Sequence, residues 1–185
     1  YSPTAFQGVW HRTAQMNYDE VLVALGLGDK ERRIALESDM TVTMAVQSFD
    51  SDTTYIRVRE RTGGIHSASS ALNVDSTFDV SGRGPSRNSS SSRRDSTRTG
   101  GAKIQGIKFF ETSTYGEDSS QGGSGSATFP HGDVLAITRR SVNGRLQLVS
   151  RYFLVEKAGK PQLRLTTTCK HKAPGHKGEP ITENA

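Results

Sequence analysis

Residues 6–26 have the sequence FQGVWHRTAQMNYDEVLVALG, and this stretch decides the fold. Its first part, residues 7–13, predicts a β-strand that carries the only tryptophan of the chain, Trp10. Asn17 occupies a position typical of a helix N-cap, because its short side chain can accept a hydrogen bond from an unpaired backbone N–H. The stretch therefore predicts a strand, a cap and the start of a helix.

The helix that follows is predicted over residues 17–25. Two acidic residues, Asp19 and Glu20, lie in its first turn, where the helix dipole favours negative charge. Apolar residues then recur at helical spacing, and Gly26 can end the helix because glycine adopts the left-handed conformation at low cost. A second helix is predicted over residues 28–38, so the two form a helix-turn-helix.

The same stretch resembles the signature of the intracellular lipid-binding proteins, the cytosolic fatty-acid-binding and retinoid-binding family. In that family a G-x-W strand leads into N-[FY]-[DE] and a short helix that ends in Leu-Gly. Arg12 departs from the pattern, because the family usually has an aliphatic residue there. The positions that match are Gly8, Trp10, Asn17, Tyr18, Asp19, Leu22, Leu25 and Gly26.

Beyond Ser38 the apolar period changes from 3.6 residues to two, which predicts half-buried strands joined by turns. Asn143 and Gly144 form the strongest hairpin signal, since a type I′ turn needs positive φ at both central residues. The strand candidates are residues 7–13, 40–46, 55–61, 65–72, 74–80, 103–111, 127–130, 134–142, 145–155 and 162–171.

Ten strands with two helices after the first agree with what the resemblance implies. We expect a mainly β fold, a ten-stranded antiparallel up-and-down β-barrel with a helix-turn-helix lid between the first two strands. The barrel is predicted over residues 6–172. Residues 81–102 and 116–126 lack large apolar side chains and are predicted to be flexible insertions. Residues 173–185 are predicted to be a flexible basic tail.

Composition limits the class of protein. A chain of 185 residues is one domain by default, and its single cysteine, Cys169, fits a reducing compartment. We therefore expect a cytoplasmic protein, with an association with the cytoskeleton as a further option. No apolar run approaches the roughly 20 residues that span a bilayer. The chain begins at Tyr1 rather than Met, so we expect that an N-terminal piece was removed or left out.

Candidate ligand-binding residues lie on late strands. In fatty-acid-binding relatives, an arginine on a late strand and an Arg-x-Tyr pair on the last strand hold the ligand carboxylate. Counted from the predicted turn, Arg139 resembles the first of these, whereas the Arg-x-Tyr pair is absent. Either Arg164 and Thr166 face the interior or the alternating set that begins at Leu163 does, because a one-residue shift exchanges the two faces. The leucines favour the second alternative.

Two functions follow from these patterns. The first is non-catalytic binding of a fatty acid or similar small hydrophobic ligand, without a cofactor or metal, since the histidines are scattered and no catalytic spacing is present. The second is a structural role in a cytoskeletal, axonemal or ribonucleoprotein assembly. It would dock through the basic insertions and the basic C-terminal tail, although the simplest interpretation of the first insertion is a solvated loop. The basic residues of that insertion are Arg83, Arg87, Arg93, Arg94 and Arg98.

Overall fold

The computed structural model describes residues 3–49, 53–63, 73–81, 103–104, 106–116, 133–171 and 182–184. The helices are α1 (Tyr18–Ala24) and α2 (Asp29–Glu37), and they follow the first strand as predicted. The strands in the described ranges are β1 (Gly8–His11), β2 (Met40–Ser48), β3 (Thr54–Thr62), β4 (Val74–Asp79), β5 (Lys103–Ile104), β6 (Ile107–Gly116), β7 (Val134–Ser141), β8 (Leu146–Lys157), β9 (Lys160–His171) and β10 (Thr182–Asn184).

The strands form two antiparallel sheets. One has the order β1-β2-β3-β4 and the other the order β10-β9-β8-β7-β6-β5. The prediction of a mainly β, antiparallel fold with two helices is confirmed. A closed ten-stranded barrel is not, because in the described part of the chain no ladder of hydrogen bonds joins an edge strand of one sheet (β1 or β4) to an edge strand of the other (β5 or β10). The fold is a half-barrel with an open side between β1 and β9.

The ends of α1 differ in how well they were predicted. Gly26 ends the helix as expected: it has φ +80°, its N–H donates to Val23 O, and Leu27 N–H donates to Leu22 O. The predicted side-chain cap at Asn17 is wrong. Asn17 has φ 53° and ψ 20° and makes no cap hydrogen bond through its side chain. Asparagine is among the few L-residues that adopt the left-handed region readily, so it turns the chain rather than capping it.

The type I′ turn is not at Asn143 and Gly144. Only Gly144 has positive φ there (+71°). Its N–H donates to Ser141 O, so the connection between β7 and β8 is longer than a two-residue type I′ turn. Two consecutive residues with positive φ occur instead at Ala158 (52°) and Gly159 (71°), between the paired ends of β8 and β9. The side-chain oxygen of Asn143 accepts hydrogen bonds within the turn, from the Ser141 hydroxyl and from the backbone N–H of Arg145.

Two predicted elements are corrected. The single strand over 103–111 is a hairpin, β5 and β6, because Gly106 has φ +77° and reverses the chain; β6 then continues to Gly116. Within residues 173–185, for which we predicted a flexible tail, Thr182–Asn184 forms β10 and pairs with the end of β9. The candidate strands 65–72 and 127–130 lie outside the described residues.

Two apolar clusters stabilise the fold. The first lies between the sheets and includes Phe6, Met44 and Phe78 on one side and Leu135 and Ile137 on the other. The second lies below the helices, where Leu22, Leu25 and Leu27 pack with residues of the larger sheet. α1 is therefore held against the β-sheet through Leu22, and α2 contributes Ala35 to the same cluster. Neither described helix is long and apolar enough to cross a membrane.

Candidate functional site: a cleft between β1 and β9

A large cleft lies between β1, the linker to α1, α1 itself and β9, with a volume of about 1230 Å³. It exists because β1 ends at His11 and does not pair with β9, so the two sheet edges remain apart. α1 covers one side of the gap. Apolar side chains that line the cleft are Trp10, Met40, Val42, Val155, Leu163 and Leu165.

The register of β9 decides which of its side chains face the interior. Leu163 pairs with Leu154 and Leu165 pairs with Tyr152, and both leucines pack against the core cluster between the sheets. Alternation places Arg164 and Thr166 on the exposed face. The leucine alternative is therefore the observed one. Both Arg164 and Thr166 reach the edge of the cleft, but neither points into the interior; their role as ligand contacts stays a prediction.

Arg139 on β7 points into the interior, and its side chain is only 3% exposed. Its Nε donates to Glu111 Oε1 at 2.8 Å, and its Nη2 donates to Glu60 Oε1 at 3.1 Å. Glu60 lies on β3 and Glu111 on β6, so this cluster links the two sheets. The guanidinium already binds two carboxylates of the protein, and a ligand carboxylate would have to displace one of them.

The remaining contacts complete this buried cluster. Ser76 Oγ donates to Glu111 Oε2 at 2.6 Å, and Tyr152 donates its hydroxyl proton to Glu60 Oε1. Burial and the charge of Glu60 raise the pKa of Tyr152 well above its ordinary value, so the phenol stays a donor. For Arg139, burial acts to lower the pKa, but the surrounding negative groups, led by Glu60, outweigh it and raise the pKa. The guanidinium thus stays charged.

A second arginine, Arg12, also lies on the interior side. Gly8 and Trp10 are the partly buried residues of β1, and Arg12 continues the same alternation. Its backbone N–H donates to Met40 O at 2.9 Å, which holds the chain in the strand direction beyond His11. Arg12 therefore lies at the boundary of the cleft beside Trp10.

The guanidinium of Arg12 is only partly satisfied. Nη1 is buried and has no hydrogen-bond partner among the described residues, and such a group costs on the order of 1–3 kcal/mol or more when charged. The guanidinium carbon lies 5.7 Å from the ring centroid of Tyr18, within the range of a cation–π contact. Nη2 donates to carbonyl oxygens at the end of α2, those of Ala35 (3.4 Å), Leu36 (3.1 Å) and Ser38.

Tyr18 is a partly buried residue at the boundary of the cleft. It is the first residue of α1 and lines the cleft beside Arg12. Burial and the negative charge of Glu60 raise the pKa of Tyr18 to about 12, although the charge of Arg12 acts in the opposite direction. Tyr18 therefore remains neutral at physiological pH. Its position gives the cleft a polar end that contrasts with the apolar wall at Trp10 and Leu165.

Sequence reasoning missed Arg12, Glu60 and Glu111 as interior residues. The signal was present in the alternation, because Glu60 follows Ile56 and Val58 on the inward face of β3. Arg12 was noted only as a departure from the family pattern. The basic residues of the first insertion, Arg83, Arg87, Arg93, Arg94 and Arg98, lie outside the described residues.

No arrangement in the described residues indicates catalysis. Cys169 lines the cleft, but burial raises its pKa to about 11, so its thiol is protonated near neutral pH. In the described ranges, no three His, Cys, Asp or Glu side chains are grouped so that they could hold a metal ion. The arrangement is suited to holding an apolar chain against Trp10 and Leu165, with a cation at one end.

No protein-family model matches this chain, and no curated protein matches it. Among solved structures, a tyrosine-to-phenylalanine mutant of the REP1-NXSQ fatty acid transporter is similar to it at 14% identity, with a TM-score of 0.42. The match covers 88% of this chain and 96% of that chain. This similarity is too low to establish a shared ligand.

Proposed function

We propose that this protein binds a small hydrophobic ligand, such as a fatty acid, in the cleft between β1 and β9, without catalysing a reaction. The observation that supports the proposal most strongly is the cleft itself. Its volume of about 1230 Å³ exceeds the roughly 300–1,000 Å³ of typical small-molecule sites, so a ligand chain has room, and one wall is apolar. Ligand sites typically combine such a wall with a few polar groups.

The apolar wall supplies the binding energy in this proposal. Leu163 and Leu165 are only partly buried, so a ligand chain placed over them would remove further apolar surface from water. Each buried methylene contributes about 0.8 kcal/mol, so a chain of moderate length can bind at micromolar concentration after the cost of immobilisation. Trp10, with its indole N–H bonded to Phe6 O at 3.0 Å, offers a fixed aromatic surface beside them.

The test uses delipidated full-length protein and Nile red, a neutral dye whose fluorescence depends on the polarity of its surroundings. We expect saturable Nile red binding that oleate displaces. The same titration should change the fluorescence of Trp10, because it is the only tryptophan and lines the cleft. Absence of saturable Nile red and oleate binding would contradict the proposal.

A pair of variants localises the site. Leu163→Asn removes apolar surface from the wall of the cleft and should weaken binding roughly tenfold, the equivalent of about two buried methylenes. Val142→Asn makes the same kind of change at an exposed residue in the turn between β7 and β8, away from the cleft, and should leave affinity unchanged. Equal effects of the two substitutions would show that the ligand binds elsewhere.

A further inference from the structure

Two arginines of the described chain point toward the interior, and they differ in their partners. Arg139 donates to the carboxylates of Glu60 and Glu111. Arg12 has no ion pair with any described carboxylate, and its Nη1 has no acceptor among the described residues. A ligand carboxylate at Arg139 would have to compete with both of these protein carboxylates for the guanidinium. Of the two, Arg12 is the one that lacks a carboxylate partner and holds a buried donor without an acceptor among the described residues.

We propose that Arg12 binds the acidic head group of the hydrophobic ligand, and that Arg139 does not. This inference rests on the proposed function, since it assigns one end of the ligand in the same cleft. The apolar chain would extend from Arg12 past Trp10 toward Leu165. An arginine suits this role because its planar fork can bind a carboxylate while other nitrogens keep their protein partners.

The position of Arg12 is fixed before a ligand arrives. Nη2 bonds to the carbonyls at the end of α2, where the partial negative charge of the helix dipole stabilises a cation. The Tyr18 ring packs against the guanidinium on another side. These contacts hold the side chain at the cleft and leave Nη1 as the donor without a partner. A preordered donor of this kind binds an anion at a lower entropic cost.

Linker residues next to Arg12 at the mouth of the cleft are exposed. Met16 is 88% exposed, and Gln15 is exposed as well, although its amide bonds to Leu36 O at 3.2 Å. Small movements of these linker side chains would bring a carboxylate to Nη1 without disturbing β1 or α1. A ligand carboxylate would thereby provide the acceptor that this buried nitrogen lacks.

The experiment compares an acid with a neutral ligand of the same chain. Oleate and oleyl alcohol displace Nile red from the wild type, from Arg12→Met and from the matched control Arg140→Met, which removes an exposed arginine of β7 outside the cleft. We expect the wild type and Arg140→Met to prefer oleate roughly tenfold to a hundredfold, as a charge-assisted hydrogen bond implies, and Arg12→Met to lose that preference.

Arg12→Met also removes bonds to α2, so Arg12→Lys, which keeps the charge, is measured as a second variant. It should keep part of the preference for oleate. Equal affinity of the wild type for both ligands, or an unchanged preference in Arg12→Met, would overturn the inference and leave the proposed function intact. If Arg12→Met fails to fold, the wild-type ratio and Arg12→Lys still decide it. Failure of both ligands to bind the wild type would overturn the proposed function and this inference with it.

Discussion

Arg139 Nε lies 2.8 Å from Glu111 Oε1 in the interior between the two sheets, and both side chains are almost completely buried. Arg139 belongs to β7 and Glu111 to β6, and the two residues pair directly in the ladder. The same guanidinium reaches Glu60 on β3 of the other sheet. A charged cluster therefore joins the two sheets, which no backbone hydrogen-bond ladder connects in the described part of the chain.

Replacing Arg139 with Met should destabilise the protein by about 3–5 kcal/mol, because it leaves the buried carboxylates of Glu60 and Glu111 without their cation. Glu111→Gln should also destabilise it. The double variant should lose less stability than the sum of the two single losses. When both charges are removed, fewer buried charges remain without a partner of opposite sign. Urea unfolding of all four proteins measures the coupling.

Arg164→Met is the control for this cycle, because Arg164 is exposed and should change stability by less than about 0.5 kcal/mol. Additive effects of Arg139→Met and Glu111→Gln would mean that the pair is not coupled. The cluster would then contribute to the fold only through packing.

Much of the fold could be predicted because local signals and the apolar period agreed. The alternation in residues 40–46 and the glycine after α1 both act over a few residues, and the structure confirms them. Closure of a barrel depends on whether β1 and β9 pair, which involves residues about 150 positions apart along the sequence. No local pattern fixes such a pairing, so the closed barrel was an extension of the family resemblance.

The turn between β8 and β9 gives a separate prediction. Ala158 has φ 52°, and an L-residue other than Asn, Asp or Gly pays a steric cost in this region. Ala158→Asn should therefore raise the unfolding free energy by about 0.5–1 kcal/mol, because asparagine tolerates positive φ in a type I′ turn. Thermal and urea unfolding measure the change.

Gly144 is the matched control, since it also has positive φ (+71°) and a Cβ there would meet no atom within 4 Å. Gly144→Ala should lower the unfolding free energy by about 1 kcal/mol through backbone strain alone. A stabilising Gly144→Ala, or a destabilising Ala158→Asn, would contradict this account of the two turns.

The candidate site was harder to predict than the fold. Counting from the turn placed Arg139 on the inward face, but its partners come from β3 and β6, far away in the sequence. For Arg12, in contrast, the sequence indicates the inward direction, because Arg12 follows Trp10 by two residues in the predicted strand. Its missing acceptor depends on how α2 folds back over the linker, which only the tertiary structure specifies.

Cys169 provides a chemical probe of the cleft. It is the only cysteine and is buried at the cleft wall, and burial raises its pKa to about 11. At pH 8 roughly one thiol in a thousand would then be ionised, so the native protein should react with a disulfide reagent far more slowly than the unfolded one. Bound oleate should slow the reaction further. A native rate equal to the unfolded rate would show that Cys169 is accessible.

Ionisation of Tyr18 should lower the free energy of unfolding at alkaline pH, and replacing this one residue isolates its contribution. Burial and the charge of Glu60 raise its pKa to about 12 in the folded protein, against about 10 when unfolded, so the native state favours the neutral phenol. This contribution is complete below pH 10 and is lost as the pH rises toward 12. Tyr18→Phe cannot ionise, so its unfolding free energy should fall less steeply than that of the wild type between pH 10 and 12. Urea unfolding at half-unit pH intervals measures both slopes, and parallel curves would mean that the phenol is not protected by the fold.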